Sequence, residues 1–156
     1  FRERLARRAD LLVPNVFELA CLSGMAVAGP DDALRAADRL RAHGARAVVA
    51  TGLPLPDQPA RLGMAAADHD GAWLVTAPRH PVILHGTGDV FSALVLGHRL
   101  RGRRLDAALE RTAAAVTAVV ERTIEVGGPE LALIAAQDAV VAPTASVRVA
   151  PLRPAP

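Results

Sequence analysis

The sequence predicts an α/β fold in which a mostly parallel sheet is flanked by helices. Short apolar runs of the kind that form buried strands alternate with longer segments whose apolar residues recur at helical spacing. One hairpin signal interrupts the alternation, and polar residues lie where strands end or helices begin. Such alternation is typical of sheets covered by helices, which bind ligands at the carboxyl ends of their strands.

The first half of the chain contributes two predicted strands and the helices around them. An apolar run stops at Pro14, as a short buried strand would, and Asn15 is a suitable N-cap for the helix that follows. In chain order, the predicted elements are the end of a helix at 1–8, a strand at 11–13, a helix from 15 to about 22, a helix at about 31–42 and a strand at 45–50.

The second half begins with a hairpin and continues with helices. Apolar residues on both sides of the turn at 68–71 (DHDG) predict two antiparallel strands. In chain order, the predicted elements are strands at 61–67 and 72–76 and helices at about 88–100, 105–122 and 129–139. We interpret residues 1–141 as one folded part and the proline-rich residues 142–156 as a tail that is partly extended or loose.

Charge and composition argue against several function classes. All 18 basic residues are arginine, and the net charge is only +2. The densest basic run, at 99–104 (RLRGRR), ends a predicted helix, where cations complement the helix dipole and are solvated. Aromatic residues make up only 3% of the chain, and no apolar run approaches the roughly 18 residues that span a bilayer. We therefore expect no nucleic-acid partner and no membrane segment.

Cys21 is the only cysteine, which excludes an internal disulfide and a zinc site built on cysteines. It lies in the apolar pattern of the first complete helix, so we predict a buried structural thiol. Without a disulfide framework, the default expectation is a cytoplasmic location.

Residues 85–92 (HGTGDVFS) place two glycines, a threonine and an acid at the start of a long apolar helix. The N–H groups at such a start suit a phosphate oxygen, because Gly86 and Gly88 let a ligand approach the backbone closely. Asp89 would then lie within reach of a hydroxyl group that attacks the phosphate. The alternative is a glycine-rich turn followed by an acid that stabilises the first turn. This stretch alone leaves both interpretations open.

Two further polar features follow predicted strands. Asn15 and Glu18, in PNVFE, share one helical face. They form either a capping box, in which Asn replaces Ser or Thr, or a site whose oxygen atoms hold Mg²⁺ directly or through water. Thr51 either donates its hydroxyl group to a nucleotide phosphate or belongs to a plain turn with Gly52.

Two features that the sequence lacks, a P-loop motif and lysine, limit the kinds of phosphate-binding site that this chain can form. No GxxxxGK[ST] motif is present, so the chain is not a P-loop enzyme. Because the chain contains no lysine, positive charge for a phosphate must come from Mg²⁺, from arginine or from helix dipoles.

The motifs resemble those of a known superfamily. GTGD at 86–89, opening a long apolar helix, is similar to the signature of the ribokinase-like superfamily, and NVFE at 15–18 resembles its second hallmark. LLVPNVFELACLSG and PELALIAAQDAVVAPT are similar to the strand-to-helix segment and the C-terminal helix of the pyridoxal kinases. GTGD is shared with sugar, nucleoside and hydroxymethylpyrimidine kinases, so the C-terminal resemblance narrows the choice. The similarity covers residue 1 to about 152 and implies the C-terminal part of a ribokinase-like three-layer sandwich.

The resemblance implies ATP-dependent phosphorylation of the 5′-hydroxymethyl group of pyridoxal, a step of vitamin B6 salvage. The aspartate of GTGD is the base that deprotonates this group in that family, which implies the same role and substrate contact for Asp89. The anion hole is then implied at Gly86, Thr87 and Gly88, and Mg²⁺ at Asn15 and Glu18. The positions that match ATP contacts are Val13, Glu18, Thr51, Ala77, Pro78, Arg79 and His80.

The resemblance also implies what accompanies this chain. Family members are roughly twice as long, so the expectation is a missing part that precedes Phe1 and holds most of the pocket for the pyridoxal ring. Residues 1–141 would then be the nucleotide-binding and catalytic part of a cytoplasmic enzyme that is a homodimer at full length. The alternatives are a kinase for hydroxymethylpyrimidine or another small alcohol, and an inactive nucleotide-binding remnant.

Overall fold

The computed structural model describes residues 4–153. In it, strands and helices follow one another largely in the order that the sequence predicts. These residues form two units. The first contains the described residues up to Thr76 together with those from Val149 onward, and the second contains Ala77–Arg148. No helix within residues 4–153 combines the length and the apolarity that a bilayer crossing requires.

The first unit is built on a sheet and two helices. Its elements, in chain order, are a 3₁₀ turn (Ala6–Arg8), α1 (Val16–Ser23), α2 (Pro30–Ala42), β1 (Val48–Leu53), β2 (Arg61–Asp68), β3 (Gly71–Pro78) and β4 (Arg148–Arg153). The last two residues of β3 and the first residue of β4 belong to the second unit. The strands are neighbours in the order β1-β2-β3-β4. Part of the helix end predicted at 1–8 lies outside the described residues.

The direction of the strands differs from the predicted, mostly parallel arrangement. β1 and β2 are antiparallel, with Val48 opposite Ala67. Parallel pairing is found in two isolated bridges, Leu12 with Val48 and Asn15 with Thr51. The reason is the connection between β1 and β2, at 54–60, which is too short for the helical crossover that parallel neighbours need.

Small side chains let α2 pack closely on this sheet. Ala33, Ala36 and Ala37 form the fully buried face of the helix, and they share one core with strand residues such as Ala50 and Ala65. Burying alanine costs no side-chain entropy, so the packing is favourable although each contact is small. The core is therefore continuous from α2 to the first two strands.

The last strand is tied to α2 by an ion pair. Arg153 donates hydrogen bonds of 2.8 and 3.0 Å to the two carboxylate oxygens of Asp38, and Leu152 packs against the core. The hydrogen bond from Arg153 holds the pKa of Asp38 below its ordinary value, while burial acts in the opposite direction. β4 lies within the segment predicted as an extended or loose tail.

The face of α1 that carries the only cysteine is not packed against the described residues. Leu19 and Ser23 are buried, whereas Cys21 is exposed and Phe17, one helical turn before it, is 76% exposed. The prediction of a buried thiol is wrong, since an apolar pattern shows that a face favours burial without showing what covers it.

The second unit is helical and contains α3 (Thr87–Leu100), α4 (Leu105–Val126) and α5 (Gln137–Val141). The helix predicted at 129–139 forms only over its last part. The segment before it is pinned to α4, because the hydroxyl group of Thr123 accepts a 3.0 Å hydrogen bond from the N–H of Ala132. That N–H is therefore used in a tertiary contact, and the segment remains a series of turns.

Candidate active site

The start of α1 is closed by its own side chains. The side chain of Asn15 accepts a 2.9 Å hydrogen bond from the N–H of Glu18, and Glu18 Oε2 accepts one of 3.0 Å from the N–H of Asn15. This is the capping box that the sequence offered as one of two interpretations. Each of these exposed oxygen-bearing groups retains further lone pairs, so the cap does not prevent them from binding a cation as well.

Thr51 lies beside this cap. Its N–H donates a 2.9 Å hydrogen bond to the carbonyl oxygen of Pro14, and its hydroxyl group lies 3.5 Å from the same oxygen. Thr51 and Gly52 do not end the strand as predicted. They lie inside β1, where the register with β2 shifts. Such an irregularity re-aims side chains and is frequent near active sites. The first unit thus brings Asn15, Glu18 and Thr51 together, with Val13 two residues before Asn15.

The start of α3 has no such closure. Gly86 is its N-cap, with φ of 87°, and within residues 4–153 no side chain forms a capping hydrogen bond there. The first helical hydrogen bond, of 3.0 Å, runs from the N–H of Val90 to the carbonyl oxygen of Gly86. The N–H groups of Thr87, Gly88 and Asp89 therefore precede the hydrogen-bonding pattern of the helix.

Space and exposure at this helix start permit a ligand. A Cβ atom added at Gly88 would meet no heavy atom within 4 Å, and both Gly88 and Asp89 are exposed. A Cβ atom at Gly86 would lie 3.4 Å from Leu131 Cδ1, so the segment after α4 backs the glycine turn. Sequence reasoning did not identify Leu131, because nothing local marks a contact between such distant segments.

The remaining predicted ATP positions lie at the end of β3 and directly after it. Ala77 is buried, Pro78 is partly buried and Arg79 is exposed. The side chain of His80 is only 23% exposed and lies 3.6 Å from a carboxylate oxygen of Glu121. The side chain of this residue, which follows β3, therefore lies beside α4 of the same unit.

A second group of acidic and histidine side chains occurs at the turn between β2 and β3. Asp68, His69 and Asp70 each place one possible ligand atom within 4.8 Å of the others. Asp68 accepts a 2.8 Å hydrogen bond from the N–H of Asp70, and His69 lies 3.2 Å from the Asp70 carboxylate. These contacts are those of a tight turn, and we assign the group no functional role.

The model of the phosphomethylpyrimidine kinase family matches residues 1–132. The pyridoxal kinase PdxY of Rubrobacter xylanophilus is 44% identical over 144 residues, which cover 91% of this chain and 50% of the relative. The pyridoxal kinase PdxY of Leifsonia xyli is 36% identical over 138 residues, covering 88% of this chain and 49% of the relative. The chain thus spans about half the length of the curated relatives it matches.

Solved structures agree with this result. The pyridoxal kinase of Leishmania donovani in complex with ADP superimposes with a TM-score of 0.88 at 26% identity, covering 96% of this chain and 54% of that one. The pyridoxal kinase of Trypanosoma brucei gives 0.86 at 27% identity, covering 96% and 54%. The predicted α/β fold of the ribokinase-like type is confirmed, apart from the direction of the strands within this chain.

Proposed function

We propose that this chain, which belongs to the phosphomethylpyrimidine kinase family, is the nucleotide-binding and catalytic part of an ATP-dependent pyridoxal kinase. The observation that carries the proposal is the start of α3, where free N–H groups, two glycines and an exposed carboxylate occur together. Relatives of this chain are named pyridoxal kinases, and one solved structure is that of a pyridoxal kinase in complex with ADP and pyridoxine.

The proposed reaction moves the γ-phosphoryl group of ATP to the 5′-hydroxymethyl oxygen of pyridoxal. The hydroxyl oxygen forms the new bond to phosphorus, the bond from phosphorus to the β,γ-bridging oxygen breaks, and ADP leaves. Asp89 accepts the hydroxyl proton, because its exposed carboxylate in the first turn of α3 is accessible to a hydroxyl group of the substrate. Phosphoryl transfer needs little other chemistry from the protein than positioning and charge stabilisation.

The backbone at the start of α3 is proposed as the anion hole. Gly86 turns the chain so that the N–H groups of Thr87 and Gly88 precede the helix, and Gly88 leaves room for a phosphate oxygen. These donors and the positive end of the helix dipole stabilise the negative charge that is spread over the transferring group. The lack of lysine in the chain increases the importance of this backbone contribution.

Asn15 and Glu18 are proposed to hold Mg²⁺, directly or through water. Their donor atoms are an amide oxygen and a carboxylate, the oxygen ligands that Mg²⁺ prefers, and both side chains are exposed. Mg²⁺ bound there would supply positive charge for the phosphates of ATP. The capping box fixes the two side chains in place, which reduces the entropy that they lose when a cation binds.

The other ATP contacts remain proposals from the family pattern. The hydroxyl group of Thr51 offers a donor to a phosphate, and the exposed guanidinium group of Arg79 offers N–H donors and a positive charge. Val13, Ala77, Pro78 and His80 are proposed as backbone or packing contacts with the nucleotide. A cytoplasmic location and a homodimer at full length belong to the same proposal.

The second candidate substrate is a hydroxymethylpyrimidine, the alcohol that corresponds to the phosphomethylpyrimidine named in the family description. A hydroxymethylpyrimidine is, like pyridoxal, an aromatic alcohol, and the proposed base and anion hole serve either one. The two differ in the pocket for the ring, so only a direct comparison of substrates separates them.

The test is a phosphorylation assay on the chain joined to the part of the Rubrobacter relative outside the match, here called the complementary half. Pyridoxal, hydroxymethylpyrimidine and a sugar are offered with MgATP, and the phosphorylated products are quantified. The proposal predicts the highest kcat/KM with pyridoxal. Preference for hydroxymethylpyrimidine supports the second candidate, and MgATP binding without turnover of any alcohol supports the inactive remnant.

A further inference from the structure

The hydroxyl group of Thr123, near the end of α4, forms two hydrogen bonds. It donates one of 2.7 Å to the carbonyl oxygen of Val119, one turn earlier in the helix, and accepts one of 3.0 Å from the N–H of Ala132. A hydroxyl group has a single hydrogen to donate, so the bond from Ala132 uses its acceptor side. Thr123 is buried and therefore joins α4, out of reach of water, to the segment that follows the helix.

The peptide group that Thr123 holds is fixed on both of its sides. Its N–H belongs to Ala132, and its carbonyl group belongs to Leu131, which accepts a 2.8 Å hydrogen bond from the N–H of Leu133. Because a peptide group is planar, bonds at both its N–H and its carbonyl oxygen fix its orientation. The position of Leu131 therefore depends on a hydrogen bond to α4.

Leu131 in turn lies against the glycine turn before α3. A Cβ atom at Gly86 would be 3.4 Å from Leu131 Cδ1, so the side chain packs directly beside that backbone. Leu131 is only partly exposed, whereas Ile134 in the same segment is 86% exposed. Gly86, with φ of 87°, sets the direction of the N–H groups that follow it. Leu131 thus contacts the residue on which the geometry of the proposed anion hole depends.

We propose that Thr123 is a positioning residue for phosphoryl transfer, which acts through Leu131 on the start of α3. The hydroxyl group fixes the peptide group of Leu131, and the Leu131 side chain limits how far the backbone at Gly86 can move. The N–H groups of Thr87 and Gly88 then keep the direction in which they meet the transferring phosphoryl group. A misplacement of about 1 Å can lower a rate by about 100-fold, so such support matters. This role rests on the proposed kinase activity.

The experiment compares variants of two threonines of α4 in the chain joined to the complementary half. Thr123→Val removes the hydroxyl group but keeps the shape of the side chain, so the N–H of Ala132 loses its acceptor. Thr117→Val is the matched control. The buried hydroxyl group of Thr117 also donates to a carbonyl oxygen one turn earlier, at 2.8 Å, but among the described residues it forms no tertiary hydrogen bond. Thr123→Ser keeps the hydroxyl group and should restore the behaviour of the unsubstituted chain.

Steady-state kinetics give the first readout. Thr123→Val should lower kcat by about tenfold and leave the KM for ATP nearly unchanged, because the anion hole acts on the transferring group. A merely structural role would lower only the folded fraction, so kcat is expressed per folded molecule, with that fraction measured by urea unfolding. Leu131→Ala shortens the side chain beside Gly86 and should lower kcat in the same way. Thr117→Val should change kcat little.

Amide NMR of the same proteins without nucleotide gives a readout that needs no activity. In Thr123→Val and Leu131→Ala, the amide signals of Thr87 and Gly88 should move from their original positions, whereas in Thr117→Val they should stay. If Thr123→Val does not fold, Leu131→Ala decides. An unsubstituted protein that phosphorylates no alcohol, but whose signals respond to Thr123→Val, would support the coupling to α3 and overturn the proposed kinase activity.

Three results would overturn the positioning role. The first is unmoved signals of Thr87 and Gly88 in both Thr123→Val and Leu131→Ala. The second is an unchanged kcat per folded molecule in these two variants of an active enzyme. The third is an equal loss of kcat in Thr117→Val, which would assign the effect to α4 as a whole.

Discussion

Helices α1 and α3 begin in opposite ways, although each has an acidic residue at its third position. In α1, Glu18 bonds back to the N–H of Asn15, and Asn15 bonds forward to Glu18. In α3, the N-cap is Gly86, and within the described residues no side chain caps the helix beside Asp89. The first helix start is satisfied internally, whereas the second leaves its donors and its acid available to a ligand.

The difference between α1 and α3 shows that an acidic residue at a helix start is not by itself evidence of catalysis. Glu18 contributes to the stability of α1 whether or not it also binds Mg²⁺. Asp89 forms no such cap, so its position is better explained by what binds at the start of α3. Substitutions at the two helix starts should therefore have different signatures, in stability at the first and in activity at the second.

The largest effect is expected from Asp89→Asn. In the chain joined to the complementary half, kcat should fall by about 1,000-fold, because the proposed general base is lost while the size of the side chain is kept. Affinity for ATP should change little. The control is Asp106→Asn, which neutralises another acid in the first turn of a helix in the same unit and should leave kcat nearly unchanged. Equal losses in the two variants would remove the distinction between catalytic and helix-stabilising acids.

The two glycines of α3 should separate ligand approach from backbone strain. Gly88→Ala adds a methyl group in open space, so the fold should be retained while kcat falls by about 100-fold through a displaced phosphate. Gly86→Ala forces alanine into a left-handed conformation and should lower the free energy of unfolding by about 1–2 kcal/mol. Urea unfolding and steady-state kinetics on both variants measure the contrast. Normal activity of Gly88→Ala would show that no ligand approaches that backbone.

At α1 the expected effects are smaller and mainly concern stability. Asn15→Ala removes the cap and should cost about 1 kcal/mol of unfolding free energy. Glu18→Gln retains a side chain that can complete the capping box but loses the charge. It should therefore preserve stability while raising the Mg²⁺ concentration needed for half-maximal activity. An unchanged Mg²⁺ requirement would leave Glu18 as a capping residue only.

The smallest effect is expected at the other end of α3. Burial, followed by the charges of Arg103, Arg111 and Arg101, lowers the pKa of His98 below its ordinary value of 6.5. Because the folded-state pKa is lower than the unfolded one, protonation favours unfolding. The contribution of neutral His98 to the free energy of unfolding is then fully present above pH 6.5 and declines as the pH falls below that value. His98→Gln should reduce this decline, as measured by urea unfolding across that range, and an unchanged pH dependence would exclude His98 as its source.

The starts of α1, α2 and α3 could be predicted well because their signals are local, whereas the helix predicted at 129–139 forms only over its last part. Asn15 caps α1, Pro30 opens α2 with acids in its first turn, and Gly86 precedes α3, so each start can be recognised without knowledge of the fold. The direction of a strand depends on the connection to its neighbour and cannot be read from the strand itself. The short connection at 54–60 indicated an antiparallel pair, but the alternation of strands and helices favoured a parallel sheet.

The surfaces and the site could be predicted only in part. The prediction that Cys21 is buried was wrong because the sequence shows an apolar face but not what packs against it. Leu131 was not identified because it lies far along the chain from Gly86, which it contacts. The capping box at Asn15 and Glu18 was one of two interpretations, and the structure contains it. Whether those side chains also hold Mg²⁺ stays a prediction, since a cap and a cation site use the same atoms.

We propose that the open start of α3 receives the phosphates of ATP. The most direct measurement is amide NMR of the chain joined to the complementary half, with a non-hydrolysable MgATP analogue added. The amide signals of Thr87, Gly88 and Asp89 should shift strongly as they gain phosphate hydrogen bonds, whereas the first-turn amides of α4, after Arg104, should not. Saturating nucleotide that leaves the signals of 87–89 unmoved would contradict the account.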